Sequence, residues 1–335
     1  MDQAISSTGA KPSATNASRD PSLLHLDVNP VPETARASWV RTPDGVRLRA
    51  VRFEPAMRPN LGTILILTGR AEAVEKYFET VEDFRSRGFG VVVFDWRGQG
   101  RSDRLLRDRA KGHVDTFDDY VIDLDTVIRE VLLPDCKAPF YMVAHSMGGL
   151  IALLAGPRVT SRMKRMVCLA PLLRFGSALP ITQEWLSAVA GTLSFLGFGN
   201  FHATSNRKVV VPDFIGNRLT GDPQRHARNR QIVEADADLG MAGPSIGWLH
   251  AACRAMQQVR DPGLMAAHTV PTLFVSAGND VVVDSRATDA YAHALRAGAL
   301  LDVPGAKHEL LQERDTIREP LLAAIDAFVP GTDPI

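Results

Sequence analysis

The chain reads as an α/β protein: a doubly wound, mostly parallel sheet with helices on both faces, interrupted by an inserted helical cap. Three observations predict this. Short, nearly continuous Val/Ile/Leu runs recur at 63–67, 90–95, 140–144, 166–169, 272–276 and 299–303, as strands buried on both faces do. Amphipathic stretches fall between or after them at 74–87, 116–132, 147–156, 285–297 and 315–328, and such alternation builds a parallel sheet. The rhythm stops after residue 170 and resumes at 271. Residues 171–270 therefore read as an insertion over the carboxyl edge of the strands, where open α/β sheets place their sites.

Taken in order, residues 1–36 are rich in Ser, Ala, Thr, Pro and Asn, lack periodicity, and are expected to be a mobile tail. Residues 37–53 alternate around Thr42-Pro43-Asp44-Gly45, a turn signal that predicts an opening hairpin. The core is then expected over 37–170 and 271–330. A length of 335 residues with 45% hydrophobic and 23% charged residues suits a globular enzyme with a large core. The 38 basic and 38 acidic side chains cancel, so nothing favours a nucleic-acid partner. Three cysteines without metal-ligand spacing read as thiols of a reducing compartment, and no secretory signal is visible. The expectation is a cytoplasmic protein, open to transient contact with the inner face of a membrane. Residues 185–206 carry no formal charge, but Ser187, Gly191, Thr192, Ser194, Gly197, Gly199 and Asn200 make a poor membrane span. Oligomeric state is not legible.

The chemistry centres on Tyr141-Met142-Val143-Ala144-His145-Ser146-Met147-Gly148-Gly149. A strand, a small–x–Ser–x–Gly turn and a helix start follow one another. Small residues two positions either side of the serine let strand and helix pack closely, and the turn lifts the hydroxyl above the sheet edge. The helix N-terminus behind it favours negative charge. Ser146 is the candidate nucleophile.

A serine hydroxyl needs a base, and the base needs a carboxylate to orient it. The run at 272–276 leads into Ala277-Gly278-Asn279-Asp280, and the run at 299–303 into Pro304-Gly305-Ala306-Lys307-His308. Two successive strands thus deliver Asp280 and His308 to the edge that holds Ser146, in the chain order Ser, Asp, His. Among competitors, Asp284 suits a helix N-cap and Asp302 lies within a strand. His145 adjoins the serine but should turn away from it, His293 is mid-helix, and His268 precedes a strand at the opposite edge. The oxyanion donors are expected to be the backbone N–H groups of Met147 and of Arg70, in the loop Thr68-Gly69-Arg70-Ala71. The loop Asp95-Trp96-Arg97-Gly98-Gln99-Gly100-Arg101-Ser102 reads as a shaped structural element near the site.

These residues resemble the lysophospholipase and monoacylglycerol lipase branch of the α/β-hydrolase superfamily, over about residues 40–328. The resemblance rests on the elbow, on Gly69-Arg70-Ala71-Glu72 with Lys76-Tyr77, and on Asp95–Ser102. It rests also on Gly112-His113-Val114, Phe117-Asp118-Asp119-Tyr120, Gly278–Asp280 and Gly305–His308. Gly243-Pro244-Ser245 with Trp248 points further to the bacterial lysophospholipases. Ala144 stands where the elbow usually has a glycine, Thr68 where a histidine often precedes Gly69, and Ala73 where another follows the glutamate.

The resemblance implies ester cleavage through an acyl-enzyme, with no metal and no organic cofactor, on a small lipid or ester substrate. Ile181, Trp185, Leu186, Val189, Leu193, Phe195, Leu196, Phe198 and Phe201 suit either an acyl-chain pocket or cap packing. Arg218, Arg225, Arg228 and Arg230 either hold a phosphate headgroup or are solvated. A serine peptidase, broad carboxylesterase or perhydrolase would use the same triad. A non-catalytic binding protein is the remote alternative.

Overall fold

At Thr42–Gly45 the chain turns on itself: Thr42 N–H bonds Val46 O at 2.9 Å, Val46 N–H bonds Thr42 Oγ1 at 2.9 Å, and Gly45 takes a positive φ of 91°. This joins β1 (Arg36–Arg41) to β2 (Arg47–Phe53) as the expected hairpin. The structure, a computed structural model, describes residues 21–178 and 181–329.

The strands β3 (Gly62–Leu67), β4 (Phe89–Phe94), β5 (Phe140–His145), β6 (Met163–Leu169), β7 (Thr272–Ala277) and β8 (Gly298–Val303) complete an eight-stranded sheet of order β1-β2-β4-β3-β5-β6-β7-β8. Strand β2 lies antiparallel to β4, and β3 to β8 are parallel. Every residue of β3, β4, β5 and β7 is buried, which is why their sequences are unbroken apolar runs rather than alternating ones. Around them pack α1 (Phe78–Ser86), α2 (Phe117–Val127) and α3 (Met147–Thr160). Helix α3 extends past the apolar pattern, with its backbone broken at Gly156 (φ 57°) before Pro157.

Between β6 and β7 the insertion forms α4 (Gln183–Leu193), α5 (Pro223–Ala235), α6 (Ile246–Gln258) and α7 (Pro262–Ala267). Each opens on a capping side chain: Thr182, Asp222, Ser245 and Asp261. Contacts with the core hold it in place. Ser245 N–H bonds Gly112 O at 2.8 Å, Glu309 N–H bonds Leu219 O at 2.7 Å, and Arg225 pairs with Glu79 at 2.6 Å. The alternation then resumes with α8 (Ser285–Ala294) and α9 (Asp315–Phe328).

The N-terminal stretch departs from expectation. Residues 1–20 of the expected tail lie outside the described residues, but 21–35 lie against the core. Leu23 packs on the main hydrophobic cluster, Leu24 and Leu26 on Ala73, Ile232 and Leu239, and buried Asn29 donates to Glu75 O at 2.9 Å. A few leucines dock a segment that has no periodicity of its own, and so composition alone missed it.

Buried Arg49 on β2 ties this region together. It bonds Glu75 Oε2 at 2.6 Å and Asp95 Oδ2 at 2.7 Å, with all three side chains sealed from solvent. Each carboxylate needs the guanidinium, because an unpaired buried charge costs several kcal/mol, of order 3–5 when one partner is removed. Asp95 also accepts from Val74 N–H and Arg101 N–H, which shapes the loop after β4.

Candidate active site

Strand β5 runs straight into Ser146, whose backbone sits at φ 52°, ψ −113°, a conformation a side-chain-bearing residue adopts only under restraint. The restraint is visible. Ser146 N–H bonds Leu169 O at 2.9 Å, and Ser146 O accepts from Leu172 N–H at 3.0 Å. Behind it α3 presses on the end of β3, where a Cβ on Gly148 would lie 2.6 Å from Leu67 O and 2.8 Å from Thr68 O. Only glycine permits that approach, the spatial reason for the small residue two places after the serine.

Asp280 and His308 arrive on the loops after β7 and β8, stitched together by Gly278 N–H to Val303 O at 3.1 Å and Asn279 N–H to Ala306 O at 2.8 Å. Asp280 Oδ1 accepts from Val282 and Val283 N–H at 2.7 and 3.1 Å, leaving Oδ2 aimed at His308 Nδ1, 2.7 Å away. The other ring nitrogen, His308 Nε2, lies 2.9 Å from Ser146 Oγ. Ser146, His308 and Asp280 therefore form one continuous hydrogen-bonded line, and both Ser146 and His308 are buried. The competitors lie elsewhere. Asp284 caps α8, Asp302 accepts from Ser276 Oγ, His268 bonds Thr272 Oγ1, and His293 bonds Asp289 O.

In the loop after β3, Gly69 N–H is taken by Glu72 Oε2 and Ala71 N–H by Gln99 Oε1. Among the described residues Arg70 N–H has no acceptor, so it is the amide of this loop left for a ligand. Met147 is the first residue of α3, and first-turn amides have no partner inside their own helix.

Sequence reasoning set His145 aside, yet it joins His308 to this loop. Its Nδ1 lies 3.2 Å from Glu72 Oε2 and its Nε2 3.1 Å from His308 O. A carbonyl and an ionised carboxylate only accept, so both ring nitrogens donate and the imidazole is cationic. Glu72 also accepts from Tyr77 Oη–H and Lys76 Nζ, and Lys76 pairs in turn with Glu309 at 2.6 Å. Burial resists charge on Glu72, but Lys76 and His145 overcome it and hold the carboxyl well below its ordinary range. Burial likewise opposes charge on His145, and Glu72 overrides it, so the imidazole is raised above its usual value. Nothing in local sequence announces this network, although the adjacency of His145 to the nucleophile was available. Gln99 was also missed. Its Oε1 accepts from Ala71 N–H and its Nε2 approaches Met147 Sδ at 3.9 Å, which sets the loop after β4 against the loop after β3 and the head of α3.

The nine apolar residues at 181–201 do not enclose an acyl-chain pocket. Leu186 turns inward, while Ile181, Trp185, Val189, Phe195, Leu196, Phe198 and Phe201 are exposed, Phe195 by 90%. A cavity of about 200 Å³ lies instead between the loop after β3 and the insertion, lined by Ala71, Val209, Val211, Ile232, Leu239 and Met241 among others.

A family model described as serine aminopeptidase, S33, matches residues 58–315. The chain is 32% identical over 295 residues to lysophospholipase L2 of Escherichia coli (strain K12), covering 85% of this chain and 84% of that protein. It belongs to this family of α/β-hydrolases. A probable lysophospholipase L2 of Haemophilus influenzae is 26% identical over 266 residues, 79% of this chain and 83% of the relative. Among solved structures, a soluble variant of monoglyceride lipase from Saccharomyces cerevisiae superposes with a TM-score of 0.67 at 17% identity, over 91% of this chain and 98% of that one. At that identity the likeness speaks for the α/β-hydrolase fold. Among the described residues of this α/β-hydrolase, no helix is long and apolar enough to cross a membrane.

The charged His145 has a consequence for stability. Its folded value is raised, so its contribution is complete below its unfolded value of about 6.5 and is lost as pH rises through the folded value. Urea midpoints of the native protein should fall on the alkaline side of that window, and His145→Gln should flatten the decline. An unchanged slope in the variant would contradict a cationic His145.

Proposed function

We propose that the chain is a serine acyl hydrolase that cleaves carboxylic esters of lipids, with lysophospholipid as its preferred substrate and monoacylglycerol as the related one. The observation that carries the proposal is His308 bridging Ser146 Oγ at 2.9 Å and Asp280 Oδ2 at 2.7 Å. In the proposed reaction His308 Nε2 accepts the Ser146 proton as Oγ bonds to the ester carbonyl carbon. Asp280 holds the proton on Nδ1 and stabilises the imidazolium. The Met147 and Arg70 N–H groups receive the oxyanion. Collapse breaks the ester C–O bond, and His308 returns its proton to the departing alcohol. Water then gives up a proton to His308 and attacks the acyl-enzyme, releasing a carboxylic acid and restoring Ser146. None of these steps calls on a metal or cofactor.

The names of the curated relatives favour an ester over a peptide substrate. A panel of lysophospholipid, 1-monoacylglycerol, short aryl esters and aminoacyl amides tests this. Lysophospholipid and monoacylglycerol should turn over with the highest kcat/KM, and Asp280→Asn should lower kcat by roughly 10⁴-fold, as in comparable triads. Rapid turnover of amides with lipid esters untouched would favour the peptidase alternative and sink the lipase reading.

The same proposal includes transient contact with a lipid surface. Trp185, Phe195, Leu196 and Phe201 are exposed, and the following chain adds exposed Ile215 with Arg207, Lys208 and Arg218. Among the described residues those three cations have no acidic partner, a combination suited to an anionic interface. Sedimentation with anionic vesicles should recover the protein, and Phe195→Asp should weaken binding by roughly tenfold or more, the value of one buried aromatic. Equal recovery of both proteins would remove this contact.

A further inference from the structure

The arginines first considered for a phosphate headgroup are largely committed elsewhere. Arg225 pairs with Glu79, Asp222 and Asp315, Arg228 with Glu79, and Arg230 with Asp213 and Glu234. Arg218 is exposed on a connecting segment. Buried Arg49 is matched by Glu75 and Asp95, and Arg97 by Asp123, Asp44 and, at 3.8 Å, Asp119.

Arg70 is different. Its guanidinium has no carboxylate partner among the described residues. Nη2 donates to Ala242 O at 2.6 Å and approaches Met241 Sδ at 3.8 Å, while Cζ lies 5.3 Å from the centre of the Trp248 ring. Its Nε is sealed from solvent and has no acceptor among the described residues. Burial pulls the group down to about 10, with only Tyr120 opposing, so its charge is retained at neutral pH but poorly compensated. A buried guanidinium left without an anion is costly unless an anion arrives. The cavity described above is lined on this side by Ala71, the next residue, and by Met241, which Arg70 touches.

We propose that the Arg70 guanidinium binds the phosphate of the substrate's headgroup, and so selects anionic lysophospholipids over neutral monoacylglycerols at the same catalytic serine. This rests on the acyl-hydrolase proposal and adds the substrate class to it. Arg70 then acts twice, its amide on the carbonyl oxygen and its side chain on the headgroup. The dimensions agree. About six bonds, or roughly 7 Å, separate ester carbonyl carbon from phosphorus in a 1-acyl lysophospholipid, much the same as an extended arginine side chain. The planar N–H fork suits a phosphate better than a point charge does. Ala242 O accepts from Nη2 and Nε is sealed, leaving Nη1, neither bonded nor sealed, as the nitrogen open to the anion.

The decisive quantity is the ratio of kcat/KM for lysophosphatidylglycerol to that for 1-monoacylglycerol of the same acyl chain. Arg70→Met should lower this ratio about tenfold or more, mainly through KM for the phosphorylated substrate, and Arg70→Lys should restore part of it. A role as a clasp on the insertion, or a disturbed oxyanion loop, lowers both substrates in proportion and leaves the ratio unchanged, which overturns the proposal. The native protein gives a test that does not depend on a variant folding. Glycerol 3-phosphate should competitively inhibit monoacylglycerol hydrolysis where glycerol at equal concentration does not, and equal weakness of the two would also overturn it. If the native enzyme cleaves neither lipid, the acyl-hydrolase proposal is what has failed.

Discussion

At Ser146 the backbone is held at φ 52°, ψ −113°, and the geometry of the whole carboxyl edge follows from how that is maintained. A conformation of this kind costs about 1–3 kcal/mol and persists only where surroundings over-determine it. Here they do. Strand β5 is buried along its full length, Leu169 O takes the serine amide, and α3 is packed so tightly on β3 that only a glycine fits at position 148. The turn leaves the hydroxyl at the head of a helix, next to the amide of Met147. Relaxing any one of these contacts would move Oγ relative to His308, whose own position is set by a different pair of strands.

The loops that carry the other groups are rigid because polar groups behind them are paired. Glu72 accepts from Gly69, Tyr77, Lys76 and His145, and His145 reaches across to the backbone carbonyl of His308. One buried carboxylate therefore links the loop after β3, the elbow, and the loop carrying His308. Lys76 extends the link to Glu309, the residue after His308. The two cations and two carboxylates cancel, so the network is tolerable in a buried setting where any unpaired member would not be. Arg70 stands beside this cluster with an unbalanced charge, and that contrast singles it out.

Much of the fold was legible because its central strands are buried on both faces. Continuous apolar runs marked β3 to β8 to within a few residues, and the loss of rhythm after residue 170 marked the insertion. Ser146, Asp280 and His308 were legible for a different reason: each sits directly after a recognisable strand, so chain order alone carries them to one edge. What was missed depends on contacts between distant segments. Asn29 and Leu23 dock through tertiary packing without periodicity, His145 gains its role from Glu72 some seventy positions earlier (73 apart), and the state of Arg70 is defined by which carboxylates are not near it. The exposed face at 181–201 shows the converse error, since apolar composition alone cannot separate a pocket lining from a surface.

The proposed reaction requires Ser146 to be an activated nucleophile. Reaction of the native protein with a fluorophosphonate, followed by peptide mass mapping, tests it most directly. One adduct is expected, on Ser146, formed much more slowly in His308→Ala. A folded native protein that takes up no label, or takes it up at another residue, would contradict it.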